Sequence, residues 1–176
     1  MGRFESTRRV ILVEGQSDVA AITALARRLD HDLDAVGVAV VDIGGATNIR
    51  RAVSQWTARG IDVLGLCDAA EARIYQRTFD GDGFFVCTAD LEDELIRALG
   101  PAAVESVIEA AAELDTFRTF QRQPAQRQRP IEAQLRRFIG TKSGRKIRYG
   151  TLLVDALDLE RVPDPLTAVI RAASCC

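Results

Sequence analysis

Histidine is almost missing from this chain: among 176 residues the only one is His31, set in the polar run Asp30-His31-Asp32-Leu33-Asp34. Zinc sites built on histidine pairs, Ser-His-Asp triads and Cys-His dyads all need an imidazole beside the reacting group, so these chemistries are set aside. The four cysteines, Cys67, Cys87, Cys175 and Cys176, fall in no metal-ligand spacing; they read as reduced, structurally inert thiols. Aromatic residues make up only 6%, which leaves little for a base-stacking platform on single strands, so that a nucleic-acid partner, were there one, would more readily be duplex DNA. No apolar run approaches the roughly 20 residues of a membrane helix, and Met1 to Ser6 lack the apolar core of a signal peptide. No membrane partner is expected, and the expected location is the cytoplasm. The dinucleotide and ATP fingerprints G-x-G-x-x-G and G-x-x-x-x-G-K-[ST] are also missing.

What is present is a soluble composition, 47% hydrophobic and 27% charged, on a length typical of one domain. The formal net charge of −2 hides an asymmetry. Between Thr116 and Gly150 ten basic residues stand against the single acid Glu132, a net +9, which leaves −11 for the rest. A basic part beside an acidic part suits a polyanion held by arginines while carboxylate-bound metal works on it. Arginine outnumbers lysine in the basic part, and its planar fork contacts phosphate oxygens in pairs.

The run Arg9 to Val13 is continuous, β-branched and apolar, and Glu14-Gly15 ends it, so it reads as a buried strand. Ser17 is the expected cap of a helix whose apolar positions Val19, Ile22, Leu25, Ala26 and Leu29 recur at helical spacing. The pattern repeats with a strand over 36–41, the turn Gly44-Gly45, a cap at Thr47 and a helix through Trp56; then a strand over 61–66 and a helix over 69–77; then a strand over 84–87 and a helix over 91–99. Four such repeats predict an α/β fold, a four-stranded, mainly parallel sheet with flanking helices. Beyond Pro101 only helices are predicted, over 101–113, 116–128, 130–139, 144–157 and 165–172. The expected organisation is an α/β core over 1–100 and a basic helical extension over 101–176 packed on it.

Ligands of parallel sheets bind beyond the carboxyl ends of the strands, and the acids fall there. Glu14 ends the first strand with Asp18 one turn on; Asp68 ends the third with Glu71 three residues later; Asp90, Glu92, Asp93 and Glu94 follow the fourth. Converging carboxylates without histidine make an oxygen-ligand site, suited to Mg²⁺ or Mn²⁺. Backbone N–H groups of the turn at 44–48 offer a phosphate cradle, although glycines there also serve the turn itself.

The segments Val13-Glu14-Gly15-Gln16-Ser17-Asp18 and Gly65-Leu66-Cys67-Asp68-Ala69-Ala70-Glu71 resemble the Toprim domain of topoisomerases, bacterial primases and nucleases. The stretches Asp-Ile-Gly-Gly-Ala-Thr-Asn (42–48), Asp-Leu-Glu-Asp-Glu-Leu-Ile-Arg-Ala-Leu-Gly (90–100), Phe-Gln-Arg-Gln-Pro-Ala-Gln-Arg (120–127) and Gly-Arg-Lys-Ile-Arg-Tyr (144–149) look most like the OLD-family (overcoming lysogenization defect) nucleases, so that the resemblance spans about residues 8–172. It implies a metal site from Glu14, Asp18, Asp68, Glu92 and Asp93, with Lys146 assisting phosphodiester cleavage. The family's D-x-D after strand 3 would place its second acid at position 70, which here is Ala70, and Glu71 is the nearest substitute. OLD nucleases commonly carry an ATPase domain ahead of the Toprim domain; this chain opens almost at strand 1, so the domain is expected to stand alone, with any ATPase on a separate chain.

The function implied is a divalent-metal-dependent endonuclease acting on DNA by a two-metal mechanism, with Glu14, Asp68 and Lys146 catalytic and Arg136, Arg137, Lys142, Arg145 and Arg148 holding the nucleic-acid backbone without reading sequence. Two alternatives stay open: a Toprim nucleic-acid-binding or regulatory module that has lost catalytic metal, and another Toprim phosphoryl-transfer enzyme, a nucleotidyl transferase or an RNA-maturing nuclease. A homodimer is also left open.

Overall fold

The computed structural model describes residues 6–175, so Cys176 lies outside the described residues. Strand β1 (Arg9–Val13) is central, with β2 (Val38–Asp42) on one side and β3 (Asp62–Cys67) on the other; β4 (Phe84–Val86) pairs with β3. All three pairings are parallel, giving the order β2-β1-β3-β4. The sheet is therefore wholly rather than mainly parallel, and it leaves β2 and β4 at its edges. Val10 to Val13 are each 0% exposed, as a strand covered on both faces requires.

Strand alternation divides the apolar residues between the two faces. Val10 and Leu12 pack with Ile49 and Trp56 of α2 (Ile49–Thr57) and Tyr75 of α3 (Ala72–Gln76). Ile11 and Val13 pack with Ile22 and Leu25 of α1 (Gln16–Arg28). Every later helix joins the same cluster: α4 (Leu91–Leu99), α5 (Pro101–Ala110), α6 (Leu114–Gln121), α7 (Ile131–Gly140), α8 (Ser143–Ala156) and α9 (Asp164–Ser174) contribute Leu95, Val104, Phe117, Phe138, Leu153 and Leu166. The helices after residue 100 thus share one core with the sheet. No helix among the described residues is long and apolar enough to cross a membrane.

Several boundaries depart from those predicted. Ser17 does not cap α1: Gly15, in extended backbone, occupies the cap, and Ser17 is buried inside the helix. The segment after β2 begins as a 3-10 turn over Ala46–Asn48, so α2 starts at Ile49 and Thr47 is exposed without a capping bond. A second 3-10 turn, Ala69–Glu71, precedes α3. Helix α6 ends at Gln121 rather than near 128 because Pro124 follows and the Gln134 amide draws the chain away from the axis, donating to the carbonyls of Gln126 and Arg129 at 3.1 and 2.8 Å.

The approach of α8 to α1 positions the site. A Cβ placed on Gly150 would lie 2.7 Å from the Ser17 carbonyl oxygen, a backbone atom that cannot rotate aside. Only glycine lets the helices come this close. Lys146, one turn before Gly150 on α8, is thereby carried to the start of α1. Gly150→Ala is expected to destabilise the fold by about 1–3 kcal/mol and to lower the melting temperature by several degrees, measured by differential scanning calorimetry.

Candidate functional site

The parallel registers align the carboxyl ends of the strands. Val13 pairs with Asp42, Leu12 with Gly65, and Cys67 with Val86, so the ends carry in order Asp42, Glu14, Asp68 and the Thr88 to Asp90 turn leading into α4. Glu14 and Asp68 meet directly: Glu14 Oε1 accepts the Asp68 backbone N–H at 3.3 Å. Asp18 turns back from the first turn of α1 and accepts the Gly15 N–H at 2.9 Å. Glu92, 4% exposed on α4, receives Lys146 Nζ at 3.2 Å on Oε2, while its Oε1 is buried without a hydrogen-bond partner among the described residues.

The charges of these groups are felt by one another. Burial, then the neighbouring charges of Glu14, Asp90, Asp18 and Glu92, push the Asp68 carboxyl from 3.8 up to about 7. Burial also raises Glu14, with Glu71 and Asp18 adding to the effect against the Asp68 N–H. Asp18 and Glu92 are raised by burial and held back by Lys146. Desolvation would lower the Lys146 pKa, but Glu92, Asp18 and Asp90 outweigh it and raise it, so this ammonium stays charged at neutral pH. The arrangement is an anionic cluster with Lys146 beside Glu92.

Of the predicted ligands, the structure brings Glu14, Asp18, Asp68 and Glu92 together with Lys146. Glu71 is half-buried, and its charge acts on Glu14, whereas Ala70 is exposed. Asp93 turns instead to Arg97 on its own helix, at 2.8 Å. Asp90 was not among the predicted site residues, yet its charge reaches Asp68 while it caps α4 by accepting the Asp93 N–H at 2.8 Å and pairs with Arg136. Its place in the acidic run after strand 4 was the available signal. Asp42, also unpredicted, ends β2, adds to the raising of Asp18 and accepts Gln16 Nε2 at 2.7 Å. It lies one residue beyond the strand predicted over 36–41, at the head of the 42–48 stretch.

The donor chemistry fits a hard divalent cation: every group is a carboxylate, and Glu92 Oε1 lacks a donor. Among the described residues no three His, Cys, Asp or Glu side chains are gathered as a ready-made metal cage. The cluster is therefore defined by the mutual effect of its charges rather than by a preformed cage.

The basic residues divide by exposure. Arg145 is 8% exposed, pairs with Glu113 at 2.9 Å, donates to the Phe138 carbonyl at 3.1 Å and lies 4.0 Å over the Phe138 ring. Expected on the nucleic-acid face, it is instead committed to the interior, because its stem and guanidinium complete the packing of α7 against α8. Arg148 is exposed but also pairs with Glu113, at 3.0 Å. Arg136 is exposed with Nε 2.6 Å from Asp90, so truncating it disturbs the acid cluster as well as the basic face. Arg137 and Lys142 are exposed and have no ion-pair partner among the described residues.

Residues 7–69 match the family model for the overcoming lysogenization defect protein-like TOPRIM domain, the segment that holds Glu14, Asp18 and Asp68. The fold is that of two solved structures: the C-terminal region of the Burkholderia pseudomallei OLD protein, at TM-score 0.68 and 21% identity, covering 95% of this chain and 96% of that one, and the C-terminal region of the Xanthomonas campestris pv. campestris OLD protein, at TM-score 0.67 and 23% identity, covering 96% and 95%. No curated protein matches the sequence. The chain carries an OLD-like Toprim match over residues 7–69 on a four-stranded parallel sheet with flanking helices, and the motif resemblance is supported over that segment.

Proposed function

We propose that this protein is a divalent-metal-dependent nuclease that hydrolyses DNA phosphodiester bonds at the ends of β1, β3 and β4. The observation that carries this reading is the clustering of Glu14, Asp18, Asp68 and Glu92 with Lys146, where burial and mutual repulsion raise the carboxyl pKa values. Such a cluster favours a cation over a proton as its counter-charge. Glu14, Asp18, Asp68 and Glu92, with Glu71, would hold Mg²⁺ or Mn²⁺; a pair of these ions supplies Lewis-acid activation of water and stabilisation of the attacking and leaving oxygens.

The chain's own groups have distinct parts. Glu14 ties the ends of β1 and β3 through the Asp68 N–H and so sets the spacing of the two carboxylates. Lys146 keeps its proton and stands beside Glu92, where it can donate to a phosphoryl oxygen as negative charge develops. Arg137 and Lys142 hold the nucleic-acid backbone without reading bases. Replacing both by alanine is expected to weaken duplex binding and reduce the slope of log affinity against log salt by about 1.8 for two lost contacts, measured by fluorescence anisotropy in EDTA.

Nicking of supercoiled plasmid with Mn²⁺, repeated with Asp68→Ala, tests the reading. Cleavage by the parent and its loss in the variant are expected; cleavage in both, or in neither, overturns it. The exposed Ala70, where the family places an acid, favours a second reading as a nucleic-acid-binding module, which predicts duplex binding without nicking. Structured RNA as substrate tests the RNA-maturing alternative, and nucleotide incorporation tests the transferase.

A further inference from the structure

We infer that the cavity between the end of β2 and helix α2 is a second phosphate-binding station, one that holds a nucleic-acid strand on the side of the acid cluster opposite Lys146. This inference rests on the nuclease reading for the role of the strand, though not for its binding. The cavity encloses about 410 Å³ and is lined by Asp42, Asn48, Arg51, Trp56 and Arg59, within the range of roughly 300–1,000 Å³ typical of ligand sites. Arg51, Gln55 and Arg59 recur at i, i+4 and i+8 along α2 and the turn that follows it, a spacing that shares a face, and Asn48 stands in the 3-10 turn before it.

Three observations favour an anion. Arg51 and Arg59 are exposed, and neither has a carboxylate within ion-pair distance among the described residues. The Arg59 guanidinium lies 5.2 Å over the Trp56 ring, which holds its plane and leaves its N–H edge for oxygen acceptors. The cavity wall sets two arginines against one carboxylate, Asp42, which accepts the Gly44 N–H and Gln16 Nε2, both at 2.7 Å. A cation at a helix C-terminus accounts for Arg59, but not for Arg51 two turns earlier or for the cavity between them.

The position supplies the strand. Asp42 walls the cavity, bonds Gln16 at the start of α1, and acts electrostatically on Asp18, so the cavity opens beside the acids. Helix α2 covers one face of the sheet and α8 the other. A backbone crossing the strand ends would then meet Arg51 and Arg59 on one side and Lys146 on the other, with the scissile phosphate over the acids between them. Charge alone would not have identified these arginines, since they belong to the acidic part of the chain.

Trp56 is the only tryptophan in the sequence and lines this cavity, so its emission responds to a ligand bound there. The metal-free parent titrated with a five-residue oligothymidylate is expected to show a saturable change in tryptophan emission. Arg51→Gln/Arg59→Gln should weaken that binding about tenfold or more and flatten its salt slope by about 1.4, two contacts on a single strand; Arg51→Lys/Arg59→Lys should keep most of the slope. Unchanged emission in the parent, or equal affinity and slope in the glutamine variant, overturns the station. Thymidine monophosphate is the third arm: a response at equal or lower concentration than the oligonucleotide would make the site one for a free nucleotide and overturn the assignment to a strand. Cleavage plays no part in this readout, so a parent that shows the emission response yet never nicks plasmid defeats the nuclease reading and leaves the station standing.

Discussion

Asp68→Asn is expected to make the metal-free protein more stable at pH 8 and at the same time to remove the proposed metal-dependent activity. The Asp68 carboxyl moves from an ordinary 3.8 to about 7 in the folded chain, through burial and then the charges of Glu14, Asp90, Asp18 and Glu92. Between these values the folded state holds a proton that the unfolded state has released, so stability falls as pH rises through about 4 to 7 and the whole penalty stands above 7. The shift would correspond to about 4 kcal/mol at 1.36 kcal/mol per pH unit; Asp68 is partly exposed, and solvent screening reduces the expected gain to about 1–3 kcal/mol. Asparagine keeps the shape without the charge. Thermal melts in EDTA should show the parent losing stability from pH 5 to pH 8 more steeply than the variant, and parallel curves would refute the assignment.

The same substitution removes the carboxylate most heavily loaded by its neighbours. Plasmid nicking is expected to fall at least about a hundredfold. Mn²⁺ should raise the parent's melting temperature more at pH 8 than at pH 5.5, because protons compete for the same oxygens at the lower pH, and this dependence should be much weaker in Asp68→Asn. These outcomes would tie the stability given up at the strand ends to cation binding, as expected of a functional site.

The fold was legible because its signals are redundant. The β1 run is apolar at every position from Val10 to Val13, as only a doubly covered strand requires, and each strand is followed by a turn and an apolar helical stripe. Caps were less legible: Ser17 and Thr47 have the right chemistry, but Gly15 and the 3-10 turn at 46–48 take those places because backbone geometry decides which residue stands at the helix start. At the site, Glu14, Asp18 and Asp68 could be read from their place after strands. Arg145 could not, since a basic residue of the +9 region looks the same in sequence whether it faces solvent or covers Phe138. Asp90 and Asp42 depend on register, on which strands are neighbours, and this is set by long-range pairing rather than local pattern.

Glu71→Gln is expected to abolish nicking while leaving the fold intact, and Ala70→Asp to add little. Position 70, where the family carries its second acid after strand 3, is an exposed alanine in the 3-10 turn over Ala69–Glu71. That turn bears on the choice between the two positions. Its tight winding is closed by the Glu71 N–H donating to the Asp68 carbonyl at 3.0 Å; Ala70 projects to solvent while Glu71 is half-buried, and Glu71 is the first of the charges that raise Glu14. A carboxylate at 71 therefore already acts on the site, and one at 70 would start from the solvent side. The competing arrangement, a second metal held weakly for want of an acid at 70, makes opposite demands: Ala70→Asp would raise activity and lower the Mn²⁺ concentration needed, because an added carboxylate strengthens a hard-cation site. Nicking rates measured against Mn²⁺ concentration for the parent, Glu71→Gln and Ala70→Asp distinguish them, with circular dichroism confirming that each variant folds. Full activity in Glu71→Gln would remove Glu71 from the site, and a leftward shift of the Mn²⁺ curve in Ala70→Asp would show that the missing acid had left one ion poorly held.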